Sequence, residues 1–300
     1  MNVLVIRHGA LGDMVLSFGP FAAIRAHHPG ARITLMTTAP FVSLTEAAPW
    51  FDQVIADARP NWWDIPGLLR LRGQLAGFDF VYDLQTSGRS GRYFRLAGRP
   101  PWSGIAPGCS HPQTGPARKT MHTIERQRDQ LRRAGITEFP APDLRFLTDR
   151  RYATPPKPYA LLVPGAAPHR PEKRWPVAQY GALARILHER GLRPVVVGAA
   201  ADTELGARIH AICSDAIDLT GRTSLLDLFP LAARASIAIG NDTGPMHIAA
   251  ASGCHCVVLF SDASDPALTA PRGPDGSWPT VLRASVLADL TSDRVAAALP

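Results

Sequence analysis

Two strand-to-helix junctions hold most of the polar residues whose types and spacing suit chemistry. One is GNDTGPMHIAAASG, Gly240 to Gly253, where an acid, a hydroxyl, glycines and a histidine follow directly on the apolar run Ile237 to Ile239. Pro245 suits the first helical position and Thr243 or Gly244 the N-cap, so the amides there open a helix terminus that favours an anion such as a diphosphate. Asp242, at the strand's end, can accept hydrogen bonds from sugar hydroxyls, and His247, in the first turn, can reach a phosphate or a neighbouring side chain. Each has a plainer reading as well: Thr243 as a simple cap, Asp242 as a turn former, His247 as a core histidine. The other junction is IRHGALGDM, Ile6 to Met14. Gly9 and Gly12 allow close backbone approach, and Asp13 opens a helix, either as its cap or as a carboxylate offered to a ligand. The pattern is not a dinucleotide fingerprint, which needs the full G-x-G-x-x-G, and not a P-loop, which needs Lys-Ser/Thr.

A third piece is VPGAAPHRPEKRWP, Val163 to Pro176, between a strand and a helix. Lys173, one of only three lysines in the chain, stands there beside Arg170 and Arg174. Cations at such a crossing would neutralise a leaving diphosphate. Charge is also uneven along the chain: residues 1 to 150 hold 18 Lys+Arg against 12 Asp+Glu, and residues 151 to 300 hold 14 against 13. Ten of the first-half cations fall between 89 and 133 (Arg89, Arg92, Arg95, Arg99, Arg118, Lys119, Arg126, Arg128, Arg132 and Arg133), against only Glu125 and Asp129. Either this is a solvated arginine-rich face or it meets something anionic: a phosphorylated acceptor, an anionic lipid surface or nucleic acid.

The elements that must position these residues alternate. Short apolar strands at Val3 to Ile6, Arg32 to Met36, Gln53 to Ile55 and Phe80 to Leu84 are interleaved with helical patterns: one running from Met14 to Ile24, and others near 41 to 48, 66 to 77 and 121 to 134. Residues 98 to 120, rich in Gly and Pro, read as a long irregular loop. TDRRYATPPKP, 148 to 158, reads as a linker. A second alternation then runs through strands at Tyr159 to Val163, Pro194 to Val197, 216 to 219, Ser236 to Ile239 and Cys256 to Phe260, with helices at 176 to 190, 202 to 212, 224 to 234 and Ser292 to Leu299, the last able to pack on either half. This rhythm argues for two parallel sheets covered on both faces. Ligands in such folds bind at the carboxyl ends of the strands.

Bulk properties narrow the class. Three hundred residues exceed the usual size of one hydrophobic core, which favours two domains, and 46% hydrophobic with 19% charged residues is ordinary globular composition. No apolar run reaches membrane-spanning length and NVLVI follows Met1 without a basic leader, so the expected location is the cytoplasm. Cys109, Cys213, Cys254 and Cys256 lack disulfide-framework or zinc spacing and are expected to be reduced and structural.

Together, the N-terminal VLVIRHGALGDMVLSFGPFAAIRAHHPGARITLMT, the central VPGAAPHRPEKRWP and the C-terminal IGNDTGPMHIAAASG resemble glycosyltransferase family 9, the heptosyltransferases of bacterial lipopolysaccharide core assembly. The match spans nearly the whole chain except residues 57 to 150, which do not align. The resemblance implies an α/β GT-B fold, two Rossmann-like doubly wound domains facing across a cleft, with residues 1–150 binding the acceptor and 151–300 the nucleotide-sugar. It implies an inverting transfer with no metal or other cofactor, the sugar expected to be heptose from ADP-heptose. The chain contains no D-x-D triplet. Carried over by motif, Asp13 is the general base. Lys173, Thr243, Gly244 and His247 hold the diphosphate, with Lys173 aiding its departure, and Asp242 contacts the donor sugar or its phosphates. Asp202 or Glu204 meets the ribose, and Thr223 lines the base pocket. Gly9, Gly12, Arg89, Arg92 and Lys119 face the acceptor's phosphates. The implied partner is a phosphorylated glycolipid at the inner face of the cytoplasmic membrane, with peripheral membrane contact and no nucleic acid. A nucleotide-sugar epimerase shares the architecture but lacks these motifs; a catalytically silent or differently specific nucleotide-sugar binder is the remaining alternative.

Overall fold

The computed structural model describes residues 1–300, and they form two compact units, Met1–Pro142 and Asp143–Pro300. The first carries strands β1 (Asn2–Ile6), β2 (Arg32–Thr37), β3 (Gln53–Ala56), β4 (Phe80–Asp83), β5 (Trp102–Gly104) and β6 (His111–Pro112), with helices α1 (Leu11–Val15), α2 (Phe18–His27), α3 (Val42–Glu46), α4 (Ile65–Leu75), α5 (Gly88–Leu96) and α6 (Thr123–Arg133). All strand pairs are parallel and the order is β3-β2-β1-β4-β5-β6. β1 is central and apolar on both faces because helices cover both, so Val3 to Ile6 are fully buried.

The second unit carries α7 (Arg145–Thr148), β7 (Tyr159–Val163), α8 (Val177–Glu189), β8 (Arg193–Val196), α9 (Thr203–Ile212), β9 (Ile217–Asp218), α10 (Leu225–Ala233), β10 (Ile237–Asn241), α11 (Gly244–Ala251), β11 (Cys256–Phe260), α12 (Pro266–Thr269), β12 (Thr280–Arg283) and α13 (Ser292–Ala297). Its sheet is again all parallel, in the order β12-β11-β10-β7-β8-β9. Counted within each unit, both sheets have the doubly wound order 3-2-1-4-5-6. The chain direction therefore switches between β1 and β4 in one unit and between β7 and β10 in the other. Those two crevices are where this topology binds ligands.

Several expectations need correction. The helical pattern from Met14 to Ile24 is two helices meeting at Leu16 and Ser17, where the Ser17 hydroxyl donates back to the Asp13 carbonyl at 2.7 Å and leaves α2 without a side-chain cap. Residues 98 to 120 are not a plain loop: Trp102 and Ser103 pair with Val81 and Tyr82, and His111 with Ser103, in strands of three and two residues, too short to show a period. Between β4 and β5, the arginine-rich α5 is fixed by a reciprocal Ser87–Ser90 cap. The unit boundary falls at Pro142, ahead of the linker-like prolines, because α7 packs on α10 and Arg234 donates to the Thr148 carbonyl at 3.4 Å. The final helix α13 joins the core of the second unit against α8, through Val295 and Ala296. All four cysteines are free and buried. No helix is long and apolar enough to cross a membrane.

Candidate functional site

In the second unit, Asn241 closes β10 fully buried, and its amide ties three segments together. Its nitrogen donates to the carbonyls of Pro164 (2.8 Å) and Gly165 (3.3 Å) beyond β7, while its oxygen accepts from the Trp175 amide (3.0 Å) and the Tyr180 hydroxyl (3.1 Å). Trp175 follows Lys173 closely, so this clamp fixes the lysine's loop. Gly240 is needed just before it, because a Cβ there would stand 2.6 Å from Val163 Cβ and 2.8 Å from Met246 Sδ.

The next residue, Asp242, is 7% exposed. Its Oδ2 accepts from Lys173 Nζ at 2.5 Å and from Ser264 Oγ at 2.7 Å. A buried carboxylate needs such partners, since removing one leaves an uncompensated charge out of water. Thr243 is the N-cap of α11 in extended conformation, its side chain forming no capping hydrogen bond. Gly244 opens the helix and Pro245 follows, so the backbone donors of the first turn lie directly beside the Lys173–Asp242 pair. His247 is 5% exposed on the same helix. Arg170 closes the rim, donating to the Ala263 carbonyl at 2.6 Å and pairing with Glu172 at 2.6 Å.

The two acids considered for a ribose part company here. Asp202, half-buried in a 3-10 turn after β8, accepts from the Ala199 amide at 2.9 Å and packs on Gly165 and Gly198, where a Cβ on either glycine would strike it. Glu204 is exposed on α9, and Thr223 is half-buried just ahead of α10. Asp202 thus sits at the ends of β7 and β8, whereas Glu204 faces solvent.

The crevice of the first unit is built from buried charge. β1 runs into Arg7, 3% exposed, whose Nη1 donates to the Leu84 carbonyl beyond β4 at 2.7 Å and whose Nη2 lies 3.0 Å from Asp13 Oδ1. One guanidinium therefore couples the strand switch to α1. Burial lowers the Arg7 pKa from its ordinary value, while adjacent Asp13 acts in the opposite sense. The Asp13 side chain is 38% exposed, leaving part of the carboxylate open to a ligand. Gly9 has φ of +123°, and the Phe41 ring occupies the space a Cβ would need, so this turn requires glycine. Gly12 is buried within α1.

Around that turn lie acids and ring side chains that no motif singled out, together with two arginines of the basic segment. Asp83, the last residue of β4, is fully buried and accepts from the Thr86 amide at 2.9 Å; burial pushes its carboxyl up to about 6. His8 Nε2 is 3.0 Å from Asp57 Oδ2, and the Tyr93 hydroxyl donates to the same oxygen at 2.6 Å. Burial pushes the Asp57 carboxyl up, but hydrogen bonds from His8, Tyr93 and the Arg59 amide together hold it below its ordinary value. Arg118 donates to Thr86 Oγ1 and to Gln113 Oε1 (3.2 Å), and its charge interacts with Arg126 and Asp83. Arg126 also acts on Arg7. A signal for Arg7 and His8 existed, since polar residues continue a buried strand; Asp57, Asp83 and Tyr93 join them only through the fold.

The basic segment divides. The charge of Arg118 acts on Asp83 and that of Arg126 on Arg7 and Arg118, but Arg89 and Arg92 both lie 5.0 Å over the Trp62 ring, and Arg89 donates to the Pro60 carbonyl at 3.1 Å. Arg128 and Arg132 stack on Phe139, Arg133 pairs with Asp129 at 3.0 Å, and Lys119 is exposed at the end of the 3-10 turn Pro116–Lys119. No three His, Cys, Asp or Glu side chains come together as a metal-ligating group.

Two Rossmann-ordered units in tandem, the second with a cation–carboxylate pair at a helix N-terminus beside its strand switch, define a protein of the GT-B class. Over residues 69–277 the chain matches glycosyltransferase family 9 (heptosyltransferase), and it belongs to that family. It is 32% identical over 120 residues to a lipooligosaccharide heptosyltransferase 2 of Haemophilus influenzae, an alignment covering 38% of this chain and 34% of the relative, so it spans about a third of that relative's length. Against the lipooligosaccharide heptosyltransferase 2 of Haemophilus ducreyi the identity is 26% over 285 residues, covering 84% of this chain and 80% of the relative. The solved ADP-heptose lipopolysaccharide heptosyltransferase II of E. coli superimposes with a TM-score of 0.76 at 25% identity, covering 98% of this chain and 96% of that one.

Proposed function

We propose that this protein is an inverting, metal-independent heptosyltransferase that moves heptose from ADP-heptose to a phosphorylated glycolipid of the lipopolysaccharide core, working at the inner face of the cytoplasmic membrane. Family membership and the activities named for its relatives support the reaction class. The observation that carries the donor site is the Lys173–Asp242 contact of 2.5 Å at the N-terminus of α11.

In this reading the acceptor hydroxyl attacks the anomeric carbon and its proton passes to the Asp13 carboxylate. The bond from that carbon to the diphosphate oxygen breaks on the opposite side, inverting the configuration. Negative charge then grows on the leaving ADP, where the Lys173 ammonium and the amides at Thr243 and Gly244 stabilise it, supplying the charge a divalent cation supplies elsewhere. Asp242 holds Lys173 in place and accepts from a sugar hydroxyl, with His247 completing the diphosphate pocket. Asp202, packed against the strand ends, is favoured over exposed Glu204 as the ribose acceptor, and Thr223 lines the base pocket. Arg118 and Arg126, beside the Asp13 turn, meet the acceptor's anionic groups together with Gly9, Gly12, Arg89, Arg92 and Lys119.

Calorimetric titration with ADP, UDP and GDP in the presence of a chelator tests the donor site. Selective binding of ADP, lost in Asp242→Ala, is the expected result. Preference for UDP or GDP would replace the donor, and absence of any nucleotide binding would remove the transferase reading altogether.

A further inference from the structure

Helix α4 and the loop before it present an apolar ridge that the fold leaves uncovered. Trp63, Ile65 and Leu69 are 79%, 67% and 62% exposed, three of the seven large apolar side chains exposed in the molecule, and all three fall within residues 63 to 69. At about 100° of rotation per residue, Ile65 and Leu69 share one face of α4, opposite the buried Gly67, Leu71 and Leu75. Leu71 and Leu75 enter the core with Leu4, Ile6 and Val81, so the ridge points away from it. The same geometry puts Arg70 and Arg72, both exposed, on either flank of the Ile65–Leu69 row. Asp64 is the only acid in the loop and helix from Asn61 to Leu75, and it is engaged with the Gly67 amide at 2.9 Å. Behind the ridge, Trp62 carries the guanidinium groups of Arg89 and Arg92.

An exposed tryptophan and aliphatic row bordered by arginines has two complementary requirements: an apolar layer a few ångströms deep and negative charge at its surface. A bilayer of anionic phospholipid supplies both. A second copy of this chain supplies only the first, because a symmetric contact would bring two arginine borders together without acids to balance them. We infer that the Trp63–Ile65–Leu69 ridge docks the protein on an anionic phospholipid surface, the aromatic and aliphatic side chains entering the headgroup boundary while Arg70 and Arg72 meet lipid phosphates. This deepens the proposed membrane location, on which it rests, by assigning the surface that makes the contact, and its test needs neither donor nor acceptor, so it can fail while the transfer reaction stands.

The measurement is co-sedimentation of the full chain with mixed phosphatidylglycerol–phosphatidylcholine vesicles and with pure phosphatidylcholine vesicles. Binding to the mixed vesicles and at least roughly tenfold weaker binding to the neutral ones are expected. The double variant Trp63→Ser/Leu69→Ser should bind the mixed vesicles at least about tenfold more weakly. Arg70→Gln/Arg72→Gln should weaken binding by roughly 25-fold, about fivefold per arginine, with a shallower dependence on salt. Unchanged thermal unfolding midpoints would show that both variants keep the fold. Three outcomes would overturn the inference: no binding of the wild-type chain to the mixed vesicles, wild-type binding by the Trp63→Ser/Leu69→Ser variant, or wild-type self-association in sedimentation that this variant abolishes.

Discussion

The two strand-switch crevices share one topology and are filled by opposite strategies. At the end of β10, one neutral amide, Asn241, satisfies its hydrogen-bonding groups with backbone and a tyrosine hydroxyl, and the only buried ion pair is Lys173–Asp242, whose lysine is 17% exposed. At the ends of β1 and β4 the chain buries ionisable groups outright: Arg7, Asp83, His8 and Asp57 are all under 5% exposed. Neutral clamps make a rigid frame around a small charged feature, which suits the proposed donor, whose diphosphate is always the same. Buried charges instead set a field, with Arg7 acted on by Asp13, Asp83 and Arg126, and Arg118 by Arg126 and Asp83. The difference teaches that topology fixes where a ligand sits and local chemistry fixes what is done to it.

Replacing Asp13 by Asn probes this contrast with the largest expected effect. Transfer should fall by roughly 10³- to 10⁴-fold, while ADP affinity changes less than about twofold if, as proposed, the donor groups belong to the other unit. Single-turnover transfer and calorimetry read the two quantities, and a parallel loss of ADP binding would break the division of labour.

Asp83→Asn tests the buried field through stability. A carboxyl whose value rises from 3.8 unfolded to about 6 folded binds its proton more tightly in the native state. Its contribution is present in full below pH 3.8 and is lost as pH rises through about 6, a change of about 3 kcal/mol. Urea unfolding on either side of that window should show the wild type losing this stability as pH rises and Asp83→Asn lacking this component. Equal slopes in the two proteins would show that Asp83 is not held protonated.

Lys173→Met should slow transfer by roughly 10²-fold and weaken ADP binding, since it removes the proposed diphosphate stabilisation and leaves Asp242 paired only with Ser264. In a double-mutant cycle with Asp242→Asn the effects should fall short of additive, and full additivity would mean the pair does not act as a unit. Smallest is Gly240→Ala. A methyl group forced between Val163 and Met246 should cost about 1–3 kcal/mol in denaturant unfolding, with wild-type stability contradicting the close packing under the turn that leads into α11.

Legibility followed the same physical lines. β7 and β11 are five-residue apolar runs buried on both faces, and the sequence marks Tyr159–Val163 and Cys256–Phe260 at both ends. β5, β6 and β12 are short or edge strands whose register comes from neighbours, and α5 is so rich in arginine that only Tyr93 and Phe94 mark its inner face. At the site, Lys173 and Asp242 could each be named from their motifs, but their 2.5 Å contact joins positions 69 residues apart and belongs to the fold. Ser264 sits in an unremarkable loop and enters only because that loop folds back on Asp242. Asp57, Asp83 and Tyr93 fall within 57 to 150, where the strand and helix patterns are legible but no motif says which charges end up together.

The Asn241 clamp has a practical reach for redesign. Because one side chain secures the ends of β7 and β10 and the start of α8, the segments proposed to read the base and ribose hang from a frame that, apart from Asp202 packing on Gly165, is held from Asn241. On the proposed function, those segments can be exchanged piecemeal, keeping Asp202, to retune nucleotide preference while the diphosphate grip stays in register, whereas a library that varies position 241 gives up the bonds that hold three segments together.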